Sequence, residues 1–266
     1  MTDSPYRDPA VAEVYRRVAV PAQFVRPARD LVALMNVAAG ESVLDVGAGT
    51  GAFATAASEA AGASGLVVGL DRAEAMLRAS DARADDPRII AETPGLPFLA
   101  DAFDAVGASF VLAHCRQYSS ALADMARVCR SGGRIGISAW GSMPNEPGRV
   151  WKQIVDTYVD ADRLQRAFRA VVPWEEWFHE AGHIEQALTD TGLTAVHSQS
   201  REYTIGIAPG DYVIMKKAGV EGRLIRQLAG EAAWNRFTRE IEAAFDARFP
   251  SAITFVRDVH LGVGTK

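Results

Sequence analysis

Val43-Leu44-Asp45-Val46-Gly47-Ala48-Gly49-Thr50-Gly51 decides how the rest of the chain is read. An apolar, partly β-branched run followed by alternate glycines describes a buried strand that turns sharply into a helix, with backbone amides bared where side chains are missing. Asp45 stands at the mouth of that turn. About twenty residues on, a second strand-like run, Gly65 to Leu70, ends in Asp71, the offset at which a carboxylate meets ribose hydroxyls. A small polar ligand against the turn is therefore expected.

The same letters satisfy the dinucleotide pattern, since Gly47, Gly49 and Ala52 fit G-x-G-x-x-A. Charge separates the two readings. A pyrophosphate is anionic and favours bare amides and a helix dipole, so a carboxylate two residues before the first glycine would repel it. S-adenosylmethionine carries a sulfonium and an ammonium group, for which Asp45 is a favourable neighbour. Through Val43 to Gly51 and Gly69-Leu70-Asp71 the chain resembles the class I S-adenosylmethionine-dependent methyltransferases, and more narrowly their ubiquinone/menaquinone-type small-molecule branch.

Working outward, later segments extend that resemblance. Tyr6 to Arg17 and Pro27 to Val37 have helical spacing, with Pro21 and Pro27 expected to separate them. They precede the first strand and read as a helical cap, with Tyr15, Phe24 and Arg26 placed where an N-terminal helix of the family closes over the cofactor. Ala52 to Ala61 reads as a helix, Leu66 to Leu70 as the second strand, Ala73 to Ala84 as a helix and Arg88 to Ala91 as a third strand. Glu92-Thr93-Pro94-Gly95-Leu96-Pro97-Phe98 resembles the family's acid followed by Leu-Pro-Phe, although Glu92 replaces the commoner Asp. Phe103 to Leu112 reads as a fourth strand, Tyr118 to Cys129 as an amphipathic helix, and Ile135 to Trp140 as a strand after a Gly-Gly turn in which Ser131 replaces the family's usual Pro. Alternating strands and helices give an α/β fold.

The expected fold is a doubly wound, mostly parallel, seven-stranded Rossmann-like methyltransferase sheet with an N-terminal helical cap and helical insertions. One domain covers 1–266, divided into a cap (1–37), a cofactor-binding core (38–140), a lid insertion (141–183) and the remainder of the sheet with a second helical insertion (184–266). In that last part Thr194 to Ile205 and Ser251 to Gly262 read as strands, with helical segments from Pro209 to Ala229 and from Glu231 to Phe249 between them. The resemblance is specific over Leu31 to Trp140 and architectural beyond.

What the resemblance implies for the site is residue-specific. Asp45 with Gly47, Ala48, Gly49 and Gly51 would meet the methionine end of S-adenosyl-L-methionine, Asp71 with Arg72 the ribose, and Met76, Glu92 and Thr93 the adenine. Ser109 and His114, after the fourth strand, fall where cofactor and acceptor would meet, and His114 is the candidate general base for a hydroxyl acceptor. Trp140, His179 and His183 are candidate acceptor-side residues. His179-Glu180-Ala181-Gly182-His183 also spells H-E-x-x-H, the zinc-protease signature, but Gly182 weakens the helix it needs and no third ligand is marked, so no metal is expected.

Composition narrows the function classes. A net charge of −5 over 266 residues, with no dense Lys/Arg run, gives no electrostatic footprint for nucleic acid or an anionic membrane. No apolar run reaches the roughly 18 residues of a membrane span, and Met1 to Asp30 lacks a signal-peptide core, so a cytoplasmic protein is expected. Cys115 and Cys129 lack metal-ligand spacing and read as reduced, mostly buried thiols. The leading reading is methyl transfer to a small, hydrophobic or aromatic acceptor by direct displacement. A cofactor-fold binding or scaffolding protein without turnover, and a nicotinamide oxidoreductase, are the alternatives.

Overall fold

The computed structural model describes residues 5–266; residues 1–4 of the expected cap lie outside the described residues. A 3-10 turn (Pro5–Arg7) leads into one continuous helical run: α1 (Pro9–Val14), a π-helical stretch (Tyr15–Phe24) and α2 (Val25–Leu34). Asp8 starts it, its carboxylate accepting from the Ala10 amide with Pro9 in the first turn. The expected break at Pro21 and Pro27 does not occur. Pro21 lies inside the π stretch, where Val25 N–H reaches back to Val20 O. That wider spacing takes in a residue with no N–H to donate, whose ring would clash with a carbonyl in a regular α-helix.

The sheet follows. β1 (Ser42–Val46) turns into α3 (Ala52–Ala61), then β2 (Leu66–Asp71), α4 (Glu74–Arg78), β3 (Arg88–Ile90), β4 (Phe103–Ser109), α5 (Tyr118–Val128) and β5 (Cys129–Trp140). Beyond β5 come α6 (Glu146–Val155), α7 (Ala161–Val171), α8 (Glu175–Phe178), α9 (Ala181–Asp190), β6 (Thr194–Ile207), α10 (Pro209–Ala218), α11 (Val220–Ala229), α12 (Glu231–Arg248) and β7 (Ile253–Thr265). The seven strands run in the order β3-β2-β1-β4-β5-β7-β6. Only β7 is antiparallel, pairing with β5 and β6, so the carboxyl ends of β1 to β6 share one edge.

Close packing of helices on the sheet has a visible cause in small residues. On one face α2 and α3 bury Leu31, Met35, Phe53 and Ala57 against Val43, Ala105 and Leu261. A Cβ on Gly107 would come within 2.2 Å of the Phe53 ring, so glycine is what lets α3 reach β4. On the other face α5 and α9 bury Leu122, Met125, Ile184 and Leu188 over the same strands.

Three expected elements change length. The helix expected over 73–84 stops at Arg78, because Ser80 to Ala82 folds back on the glycine turn and the Asp81 amide donates to Thr50 O at 3.2 Å. β4 ends at Ser109, where Phe110 takes a positive φ of 59°. The helical stretch expected over 209–229 is interrupted by Gly219, whose φ of −72° and ψ of 177° are extended.

The two insertions meet in one helical layer, α6 on α12 and α7 on α11. Trp151 of α6 is 1% exposed and meets Phe237 of α12 edge to face, with ring centroids 5.4 Å apart.

Candidate functional site

The turn after β1 is built inward. The Gly47 and Ala48 amides both donate to Leu70 O, at 2.7 and 2.9 Å, the Gly49 amide donates to Asp71 Oδ2 at 2.9 Å, and the Gly51 amide donates to Ala48 O at 2.9 Å. Of the amides bared in the turn, those of Gly47, Ala48, Gly49 and Gly51 are thus consumed within the fold, and the Thr50 amide finds no acceptor among the described residues. The carbonyls of Gly47 and Gly49 accept no hydrogen bond among the described residues. With Asp45 and Asp71 close by, the mouth of the turn is rich in oxygen atoms that can accept from an ammonium group, whose charge would in turn draw the buried carboxyls towards the ionised form.

Asp45 is 1% exposed and its Oδ2 accepts from Ala54 N at 2.9 Å, closing the first turn of α3. Burial, reinforced by the charge of Asp71 and opposed by that amide, pushes its carboxyl up to about 8. Asp71 is also pushed up by burial, while its Oδ1 accepts from Ala73 N at 2.8 Å. Each Asp71 oxygen is fixed by one amide and keeps lone-pair capacity for a further donor.

Met76 is buried, its methyl 3.6 Å from where a Cβ on Gly49 would stand, and it packs with Ala12, Tyr6 and Tyr15 of the N-terminal run. Arg72 and Glu92 are exposed near the same edge. Thr93 leaves its Oγ1 buried without a partner. A buried hydroxyl without a partner leaves a polar group for a ligand to satisfy.

Ser109 Oγ lies 3.0 Å from Ser138 Oγ, and Ser138 also holds the Phe110 amide, with Oγ at 3.2 Å and O at 3.1 Å. This anchoring maintains the positive φ at Phe110, an unfavoured state for a bulky residue and one that clusters at functional sites. Phe110 stacks on Trp140 at 4.1 Å, and Phe24 meets both edge to face at 5.2 and 5.4 Å. From Phe24 the aromatic chain continues through Tyr15 and Tyr6 to His114, with Tyr6 and Tyr15 hydroxyls 3.2 Å apart.

His114 is held down to about 4, by burial first and the Arg72 charge second, so it is neutral at physiological pH. Burial likewise pushes the Cys115 and Cys129 thiols up to about 11, and both cysteines are unpaired, protonated thiols.

The remaining expected residues fall elsewhere. Arg26 is exposed, donating to Thr204 O at 2.9 Å and lying over Tyr203. The H-E-x-x-H run does not share one helix, because α8 ends at Phe178 and Glu180 is extended, with φ −91° and ψ 120°. His183 stacks on Trp177 at 4.2 Å with its Nδ1 2.6 Å from Trp177 O, while His179 O lies 2.8 Å from His260 Nε2. Among the described residues no group of three or more His, Cys, Asp or Glu could hold a metal ion, and no helix is long and apolar enough to cross a membrane.

Tyr6, Ser138, Glu175 and Arg257 were missed by sequence reading. Arg257 had a usable signal, since it shares the alternation of Ile253, Phe255, Val259 and Leu261 and so falls on an apolar face of β7.

The comparisons agree with this geometry. The methyltransferase domain family matches residues 44–137, from β1 into β5. The ubiquinone/menaquinone biosynthesis C-methyltransferase UbiE of Burkholderia mallei is 36% identical over 132 residues, which is 48% of this chain and 51% of the relative. The chain thus spans about half the length of the curated relatives it matches. Among solved structures, a candidate type II methyltransferase from Anaeromyxobacter dehalogenans superposes with a TM-score of 0.60 at 16% identity, over 89% of this chain and 95% of that one. Phosphoethanolamine N-methyltransferase 2 of Haemonchus contortus, solved with S-adenosylhomocysteine, gives 0.52 at 15% identity over 91% of this chain and 52% of that one. Residues 44–137, organised around the glycine turn after β1, match the methyltransferase domain family.

Proposed function

We propose that the protein transfers a methyl group from S-adenosyl-L-methionine to a small, hydrophobic or aromatic acceptor by direct displacement. What supports this reading is the polarity of the glycine turn: the Gly47, Ala48, Gly49 and Gly51 amides donate within the fold, the Gly47 and Gly49 carbonyls accept no hydrogen bond among the described residues, and Asp71 is bonded to the turn itself. A dinucleotide phosphate would need the opposite arrangement.

The bound cofactor supplies an electrophilic methyl on a sulfonium. The chain's own residues align and enclose. Asp45 and the Gly47 and Gly49 carbonyls would hold the ammonium end, Asp71 the ribose hydroxyls, and Met76, Glu92 and Thr93 the adenine. Phe24, Phe110 and Trp140 exclude water from the acceptor side, which a displacement by an uncharged nucleophilic atom on a cation favours. His114, neutral and on the same edge, is offered as the base that takes a hydroxyl proton. His179 and His183 would act only through the segment α8 to α9 that carries them.

The test is calorimetric titration with S-adenosylhomocysteine. The wild-type protein should bind, and Asp71→Ala should weaken binding about tenfold or more, since hydrogen bonds to a charged acceptor are worth roughly 1.5–3 kcal/mol. Unchanged affinity in a folded Asp71→Ala protein would remove the ribose assignment, and no binding by the wild type would remove the cofactor.

A further inference from the structure

We propose that Arg257 is an anion anchor, and that the methyl acceptor carries a carboxylate on an aromatic skeleton. The inference rests on the methyltransferase reading for the position of the acceptor and adds the acceptor's charge. It begins with the sheet. Val259 of β7 lies opposite Trp140 at the end of β5, and β7 runs on with β6 as a two-stranded ribbon in which Arg257 pairs with Tyr203 and Ile253 with Ile207. The ribbon therefore projects past the carboxyl edge where the site lies, and brings Arg257 over it.

There the guanidinium carbon is 3.7 Å from the Trp140 ring centroid, and Nη1 donates to Gln23 Oε1 at 2.7 Å. Among the described residues no carboxylate lies within 4.0 Å of Arg257 to form an ion pair, and its further N–H donors find no acceptor. Arg presents five donors in a rigid fork that matches a carboxylate bidentately. A half-buried guanidinium stacked on Trp140 and bonded to one neutral amide keeps donors free for an anion.

The groups around it fix what that anion can be. Glu175, at the start of α8, is near enough for the Arg257 charge to oppose the upward push of burial on its carboxyl, yet no ion pair joins them. Tyr15, Tyr212 and Asp258 also face the guanidinium, and Asp258 is already engaged by the Met143 amide at 2.9 Å. Lys216, the other cation nearby, is paired with Glu221. Arg257 is thus the one cation of this group without a carboxylate partner. Phe24, Phe110 and Trp140 pack on one another beside the guanidinium, so the skeleton that suits this neighbourhood is flat and apolar.

The probes are benzoate, 1-naphthoate and 3-phenylpropionate, each against its methyl ester, titrated into the protein saturated with S-adenosylhomocysteine and followed by Trp fluorescence. At least one acid should bind about tenfold or more tightly than its ester, the size expected for a charged hydrogen-bonded pair. Arg257→Gln should erase that preference and Arg257→Lys should restore part of it. Glu175→Gln, which removes a competing negative charge, should leave acid binding unchanged or tighter.

Esters binding as well as acids, no binding of any acid, or a preference that survives in folded Arg257→Gln would each overturn the anchor. The wild-type comparison needs no variant to fold. S-adenosylhomocysteine affinity, measured first on the same samples, distinguishes failure of the anchor from failure of the cofactor reading.

Discussion

At His114 the proposed chemistry and the enclosure pull against each other. A base must be neutral, and burial keeps this imidazole neutral down to about 4, but the same burial makes it a weak proton acceptor. Folding is coupled to that proton. Below about 6.5 an unfolded chain protonates His114 while the folded chain does not, so the contribution to stability is complete above pH 6.5 and is lost as pH falls towards 4. Urea unfolding should accordingly show the wild type losing roughly 2–3 kcal/mol more than His114→Gln between pH 7 and 4.5. Equal losses would mean that the ring is not enclosed. If His114 also takes the acceptor's proton, His114→Gln should lower turnover while S-adenosylhomocysteine affinity stays near normal. Residues like these divide in how far sequence reveals them: Asp45 and Asp71 are marked by fixed offsets from the glycines, whereas Glu175 and Arg257 come together only through an insertion and a terminal strand. No local spacing records that meeting.

The glycine turn is the element whose reading transferred best, because strand, turn and helix are specified within one short run. What failed at this scale failed where distant groups intervene. The N-terminal helix passes Pro21 by widening into a π stretch, and α4 stops early because the chain after it bonds to Thr50. The glycines of the turn have separable duties. Gly51 has φ 91°, and a Cβ there would stand 2.4 Å from Ser80 Oγ and 3.2 Å from the Ala82 amide, so Gly51→Ala should destabilise the fold by roughly 1–3 kcal/mol. Gly49 has φ 54°, and a Cβ there would stand 3.6 Å from the Met76 methyl and 4.0 Å from Gly47 O, so a methyl has room at the cost of backbone strain alone and lies at the mouth of the turn. Denaturant unfolding and calorimetry on both variants should give opposite rankings, Gly51→Ala losing more stability and Gly49→Ala losing more cofactor affinity. Matching losses in both assays would mean that the turn acts only as scaffold.

Across the whole molecule, closure of the site is assigned by which elements are tied down. The sequence suggests a lid insertion over 141–183, and we propose that only its last part serves that role. α6 and α7 are held in the helical layer through Trp151, Val155 and Leu164, all buried against the second insertion. By contrast the N-terminal run lays Tyr6, Tyr15 and Phe24 over Met76, His114 and Phe110, and α8 brings Glu175 towards the same tyrosines. These contacts are few and aromatic, and they cover the ligand side of the sheet edge. Elements that must open for a ligand belong to the low-stability end of a fold, while a packed layer exchanges only with larger openings. Hydrogen exchange with and without S-adenosylhomocysteine should therefore slow over residues 6–24 and 174–183 and stay unchanged over 146–171. Slowing confined to 146–171 would assign closure to the helical layer instead, and would separate Glu175 and the N-terminal tyrosines from the acceptor.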